Sequence, residues 1–113
     1  MSTRYLIRIP DADKARTSGA YALRSQGPEG IAAELQDALR GDSLFARWRA
    51  DQPDPDDVDP ALGITDPAAQ VVGQQRDLDI DLTVDTVISS TVLKHRLRLL
   101  AGSAWELRDV RAA

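Results

Sequence analysis

The sequence predicts an α+β fold in a single domain over residues 1–113: an N-terminal β-hairpin, two helices, an acidic loop and a C-terminal three-stranded antiparallel meander forming a two-layer sandwich. Three observations carry this reading. Asp77 to Ile88 (DLDIDLTVDTVI) alternates Leu78, Ile80, Leu82, Val84 and Ile88 with Asp77, Asp79, Asp81, Thr83 and Asp85. Side chains on a strand point to opposite faces in turn, so this stretch has one apolar and one acidic face. Between Gly27 and Gly41, apolar residues recur at helical spacing instead. Asp51 to Pro60 (DQPDPDDVDP) is broken by prolines at 53, 55 and 60, which push the preceding residues toward extended geometry.

Taken in order, Arg4 to Pro10 (RYLIRIP) sets Tyr5, Ile7 and Ile9 against Arg4, Leu6 and Arg8, a strand ended by a proline that cannot donate to a ladder. Asp11 to Gly19 is a polar loop. Alternation resumes over Ala20 to Arg24 at Tyr21 and Leu23, the second strand of the hairpin. Gly27-Pro28-Glu29 starts a helix, with proline where the amide would be unpaired anyway and an acid at the positive end of the dipole. Ile31, Leu35, Ala38 and Leu39 form its apolar stripe and Gly41 stops it. A second helix, Leu44 to Ala50, is capped by Asp42 or Ser43 and turns Leu44, Phe45 and Trp48 inward. After the acidic connection, Thr65-Asp66-Pro67 reads as another capped start, giving one or two turns up to Gly73.

The acidic face of the 77–88 strand needs cations opposite it. With a reversal at Ser89-Ser90, Asp85 faces Lys94, Thr83 faces Arg96 and Asp81 faces Arg98, while Leu82 meets Leu97 and Ile80 meets Leu99. A turn at Ala101-Gly102-Ser103 then brings in a third strand, with Leu97 beside Leu107 and His95 beside Asp109. The competing reading makes residues 91–101 helical, capped by Ser90 and ended by Gly102, with a stripe of Leu93, Leu97 and Leu100. It places Arg96 inside that stripe, which favours the hairpin; Ser-Ser is a poor tight turn, which favours the helix.

Composition narrows the function classes. With 42% hydrophobic and 28% charged residues the chain is built to fold around a core. It has no cysteine, hence no disulfide, thiolate metal site or cysteine nucleophile. No apolar run approaches the roughly 20 residues of a membrane span, and MSTRYLIRIPDAD lacks the apolar region of a signal peptide, so a cytoplasmic protein is expected. A net charge of −4 and a pI near 4.8 argue against nucleic-acid or anionic-membrane binding and suit a basic protein partner. Lysine occurs only at 14 and 94, and the abundance of arginine, aspartate and alanine points to a GC-rich bacterial genome.

Candidate sites are few. Asp54, Asp56 and Asp57 have the oxygen density of a hard-cation loop, but the glycine and distal glutamate of a calcium-binding loop are missing, and a solvated linker without metal is expected. His95, the only histidine, would form half a dyad with Asp109; a semi-buried histidine steadied by a carboxylate is the plainer reading. Arg47, Trp48 and Arg49 combine the residue types enriched at interface anchors, although Trp48 alone could be core. Glycines are isolated and no phosphate-cradling motif is present, so no cofactor is expected. The expectation is a small non-enzymatic protein–protein interaction or self-assembling accessory module of a bacterial cytoplasm, a homodimer included, in one form an acidic binder of a basic partner. The alternative is a small hydrolase-like enzyme using His95 with nearby carboxylates.

Overall fold

The computed structural model describes residues 2–113. Its elements are β1 (Thr3–Ile9), α1 (Ala12–Arg16), α2 (Pro28–Arg40), α3 (Ser43–Ala50), β2 (Gln70–Arg76), β3 (Asp79–Thr86), α4 (Ser90–Ala101) and β4 (Glu106–Ala112), with short 3-10 turns at Pro55–Asp57 and Pro60–Gly63. The strands form one open antiparallel sheet in the order β2-β3-β1-β4. The α+β class therefore holds. Along its shortest axis the molecule measures 19 Å, the depth of one sheet and one layer of helices.

Strand parity sorts the sheet as expected for β1 and β3. Tyr5, Ile7 and Ile9 lie opposite Val84, Leu82 and Ile80, and all six are buried in the core with Ile31, Leu35 and Leu39 of α2 and Leu93 and Leu97 of α4. The outer face carries the charge. Arg4 lies opposite Asp85, and its Nε and Nη2 donate to the two carboxylate oxygens at 2.8 and 2.9 Å. Arg8 lies opposite Asp81, donates to it at 2.9 Å and stands 3.7 Å from Asp79. Hydrogen bonds from Arg8 and Arg4 hold the Asp81 and Asp85 carboxyls below the usual carboxylate range. The acidic strand does find its cations, but on β1 rather than on residues 94–98.

Three expectations change. Residues 91–101 are not the middle strand of a meander; they form α4, the helical alternative. Ser89 caps it, its Oγ accepting from the Val92 N–H at 3.4 Å, and Gly102 ends it at φ +59°, a conformation that favours glycine. The Lys94, Arg96 and Arg98 pairings with the aspartates do not form because Arg4 and Arg8 already stand opposite them. β4 accordingly pairs with β1, with Leu107 opposite Ile7. Second, residues 20–24 form no strand: the segment lies on α4, with the Leu23 N–H donating to the Leu100 carbonyl at 2.8 Å. The loop before it contains the five-residue α1, capped by Asp11, which accepts from the Lys14 N–H at 3.2 Å.

Third, the 65–73 stretch is not a helix start. Asp66 is buried and works as a corner piece. Its carboxylate accepts from Thr86 Oγ1 at 2.8 Å, from the Ala68 N–H at 3.0 Å and from the Val87 N–H at 3.1 Å. Burial pushes its pKa up, but these donors and the charge of Arg40 outweigh that and hold it below the usual range. Beyond the corner β2 lies along β3, with α2 packed against it. Gln36 accepts from the Val71 N–H at 3.0 Å and Arg40 donates to the Ala69 carbonyl at 2.7 Å. A Cβ on Gly73 would stand 2.3 Å from the Pro28 carbonyl oxygen, so only glycine fits where the start of α2 meets the sheet.

The residue that argued against a helical 91–101 is what secures it. Arg96 is 0% exposed. Its Nη1 donates to the Ala38 carbonyl at 2.9 Å; its Nη2 donates to the Leu62 carbonyl at 2.9 Å and to the Ile64 carbonyl. Ala38 is in the last turn of α2, where carbonyls lack a helical partner. One guanidinium thus joins α4 to the end of α2 and to the turn leading into Asp66. Arg96→Ala is expected to lower unfolding free energy by about 3–5 kcal/mol, from a core cavity plus three carbonyls left without donors. The measurement is the urea midpoint at constant m-value.

Candidate functional site

Arg47, Trp48 and Arg49 follow one another on α3, so their side chains leave the helix about 100° apart, and the structure sends each to a different place. Trp48 is half-buried, tilted against Phe45 at 5.9 Å and set edge-on to the His95 ring at 4.5 Å. Arg49 turns to the acidic connection, donating to the Pro55 carbonyl at 2.9 Å and approaching Asp56 at 3.8 Å. Arg47 faces the other way, 5.5 Å above the Tyr21 ring, whose hydroxyl bonds to the Asp51 carboxylate. The three residues are therefore not one surface patch.

His95 and Asp109 do not meet. Their pairing required residues 91–101 to be a strand beside β4. Instead Asp109 bonds to Arg111 and accepts from the Val110 N–H at 2.8 Å, contacts that keep its carboxyl low. His95 packs on Trp48, and its Nδ1 is buried with no hydrogen-bond partner among the described residues. Burial, then the charges of Arg96 and Arg98, push its pKa below the usual histidine value. Asp54 and Asp57 are exposed, and among the described residues no three His, Cys, Asp or Glu side chains converge as a metal site would require. No helix of the described residues is long and apolar enough to cross a membrane.

What the structure does assemble is a cleft of about 340 Å³ between α2, α3 and the 20–24 segment. Ala38, Leu44 and Leu100 form an apolar floor, contributed by α2, α3 and α4. Arg47 and Tyr21 stand on one side and Asp37 on the α2 side. The 20–24 wall is held at its C-terminal end: Glu34 accepts from the Arg24 and Ser25 N–H groups at 3.1 and 2.9 Å, and the Leu23 N–H donates to the Leu100 carbonyl. Arg47 and Asp37 are exposed and take part in no ion pair among the described residues. A dry floor between an unpaired base and an unpaired acid can seat an apolar side chain and read the charge beside it. Sequence reasoning singled out Arg47 but did not name Tyr21 or Asp37 as site residues: Tyr21 read as part of a short strand and Asp37 as part of the polar face of a helix.

The lowered His95 pKa has a readable sign. The unfolded chain binds a proton near pH 6.5, whereas the folded chain resists it until lower pH. Stability is therefore indifferent to this group above about pH 6.5 and falls as pH drops from there toward the folded value. The depressed Asp66, Asp81 and Asp85 add losses only lower, as pH falls through the carboxylate range. His95→Gln should remove the upper part of the acid limb, which begins just below about pH 6.5, and leave the lower part, where the carboxylates titrate, read as urea midpoint against pH.

Comparison with protein-family models, with curated proteins and with solved structures found no match.

Proposed function

We propose that this chain is a small non-enzymatic interaction module of the bacterial cytoplasm that seats a segment of a protein partner in the α2–α3 cleft. The supporting observation is the pairing of an apolar floor (Ala38, Leu44, Leu100) with two exposed opposite charges, Asp37 and Arg47, that have no ion-pair partner among the described residues. Tyr and Arg are residue types that anchor interfaces, and here Arg47 rests on the Tyr21 ring, so its side chain loses less freedom on binding. The net charge of −4 favours encounter with a basic partner. Within the cleft, Asp37 reads a basic side chain and the floor takes an apolar neighbour. Catalysis would need a nucleophile and base within reach of each other, and His95, packed on Trp48, is not among the cleft residues.

Peptides selected from a random display library on the folded protein test this. The expected binders carry a base beside an apolar residue, shift the amide resonances of Asp37, Leu44 and Arg47, and lose about tenfold or more in affinity with Asp37→Ala, a change of about 1.4 kcal/mol. Thr83→Ala, on the outer face of the sheet, should leave affinity unchanged. Binders that map away from the cleft, or that ignore Asp37→Ala and Arg47→Ala alike, would overturn the reading.

A further inference from the structure

We propose that β4 is a self-recognising edge that pairs with β4 of a second copy of this chain. β4 ends the sheet and has a ladder partner on one side only, β1. Leu6 lies opposite Asp109 and Ile7 opposite Leu107, so Arg108 is an extra residue, a β-bulge. The bulge reverses the parity of the strand. Glu106 and Arg111, opposite Arg8 and Arg4, share the outer face; Leu107 and Val110, opposite Ile7 and Tyr5, share the helix side.

Glu106 to Arg111 reads acid, apolar, base, acid, apolar, base. Turned end for end about an axis between positions 108 and 109, every position meets its complement. Glu106 faces Arg111 of the second copy, Leu107 faces Val110, and Arg108 faces Asp109. In an unbroken strand residues 106 and 111 point to opposite sides and could not pair across a two-fold axis; the bulge is what puts them on the same side. The register is also unique. Sliding by two residues sets Glu106 against Asp109 in one direction and Arg108 against Arg111 in the other, and directly opposed like charges destabilise a sheet.

Further observations point to the same occupant. Val110 is 49% exposed on the helix side, an apolar side chain that Leu107 of the second copy would cover. In the single chain the ion pairs of β4 run along the strand, Glu106 with Arg108 at 3.4 Å and Asp109 with Arg111; Glu106 also feels the charge of Arg8 across the ladder, and Asp109 also accepts from the Val110 N–H. Exchanging these for cross-strand pairs releases that amide to a ladder. Charges and bulges normally guard an edge against foreign strands; in this arrangement they reject other strands and slipped registers while admitting an identical copy. The opposite edge differs: α2 side chains already occupy the Ala69 carbonyl and the Val71 N–H. The inference does not depend on the cleft, and either can fail without the other.

The test is mass in solution by sedimentation equilibrium up to about 0.3 mM, a range that captures weak edge-to-edge contacts. The wild type is expected to show a concentration-dependent dimer. Glu106→Arg alone and Arg111→Glu alone should each raise its dissociation constant about tenfold or more. An equimolar mixture of these two variants should recover the dimer, because one chain then carries two bases and the other two acids at the facing positions. Since Glu106→Arg also sets a base opposite Arg8, recovery in the mixture separates lost pairing from lost folding. A wild type that stays monomeric over the whole range, a dimer indifferent to both single changes, or a mixture that fails to recover would each overturn the proposal.

Discussion

A full positive charge placed where water cannot reach is the constraint this fold is arranged to meet. Arg96 is surrounded by core, and among the described residues no carboxylate forms an ion pair with it. Its compensation is three main-chain carbonyls, at Ala38, Leu62 and Ile64, while its Nε is left without a partner. Burial lowers its pKa from the ordinary value, yet an arginine starts so high that it stays charged. The requirement therefore falls on the backbone: α2 must end, and the 60–64 turn must curl, so that carbonyls converge on one guanidinium. The end of α2, the entry to Asp66 and the seat of α4 are joined through a single side chain.

The second organising feature is the outer ladder between β1 and β3. These strands are far apart in sequence, and their order in the sheet follows from matching on both faces at once. Apolar residues meet across the inside, and arginines meet aspartates across the outside. A slip of one residue would spoil both sets together. The ladder occupies the central pair of strands and so leaves β2 and β4 as edges, which decides where the chain can meet another. Asp66 then fixes the far end of β3, where Thr86, Val87 and Ala68 all donate to one carboxylate.

How much of this was legible depends on how local each cause is. α2 could be read because its signals lie within it: Pro28 and Glu29 at the start, the Ile31, Leu35 and Leu39 stripe, and Gly41 at the stop. β1 and β3 could be read because alternation is written along each strand. The TVLKHRLRLLA stretch carries both periods, and what decides between them lies elsewhere, in carbonyls at positions 38, 62 and 64 that no local pattern displays. β2 was hidden for another reason. QVVGQQR alternates weakly, Gly73 has no side chain to show a face, and Asp66-Pro67 imitates a helix start while serving as a buried corner. The cleft was half visible: Arg47 stood out by type, but Asp37 and Tyr21 join it only once α2 and the 20–24 segment are in place.

The close approach of Pro28 to Gly73 bears on how this chain could diverge over evolutionary time. The outer charges of the sheet meet side chain to side chain, and side chains can shift to accommodate a change. The contact between the start of α2 and β2 has no such latitude, because the crowding atom belongs to the main chain and cannot rotate away. A remote cousin, unrecognisable over the rest of its length, should still carry a glycine in its second strand, an aspartate shortly before it and an arginine in the middle of its last helix. That sparse triplet sits where backbone atoms, rather than neighbouring letters, set the requirement.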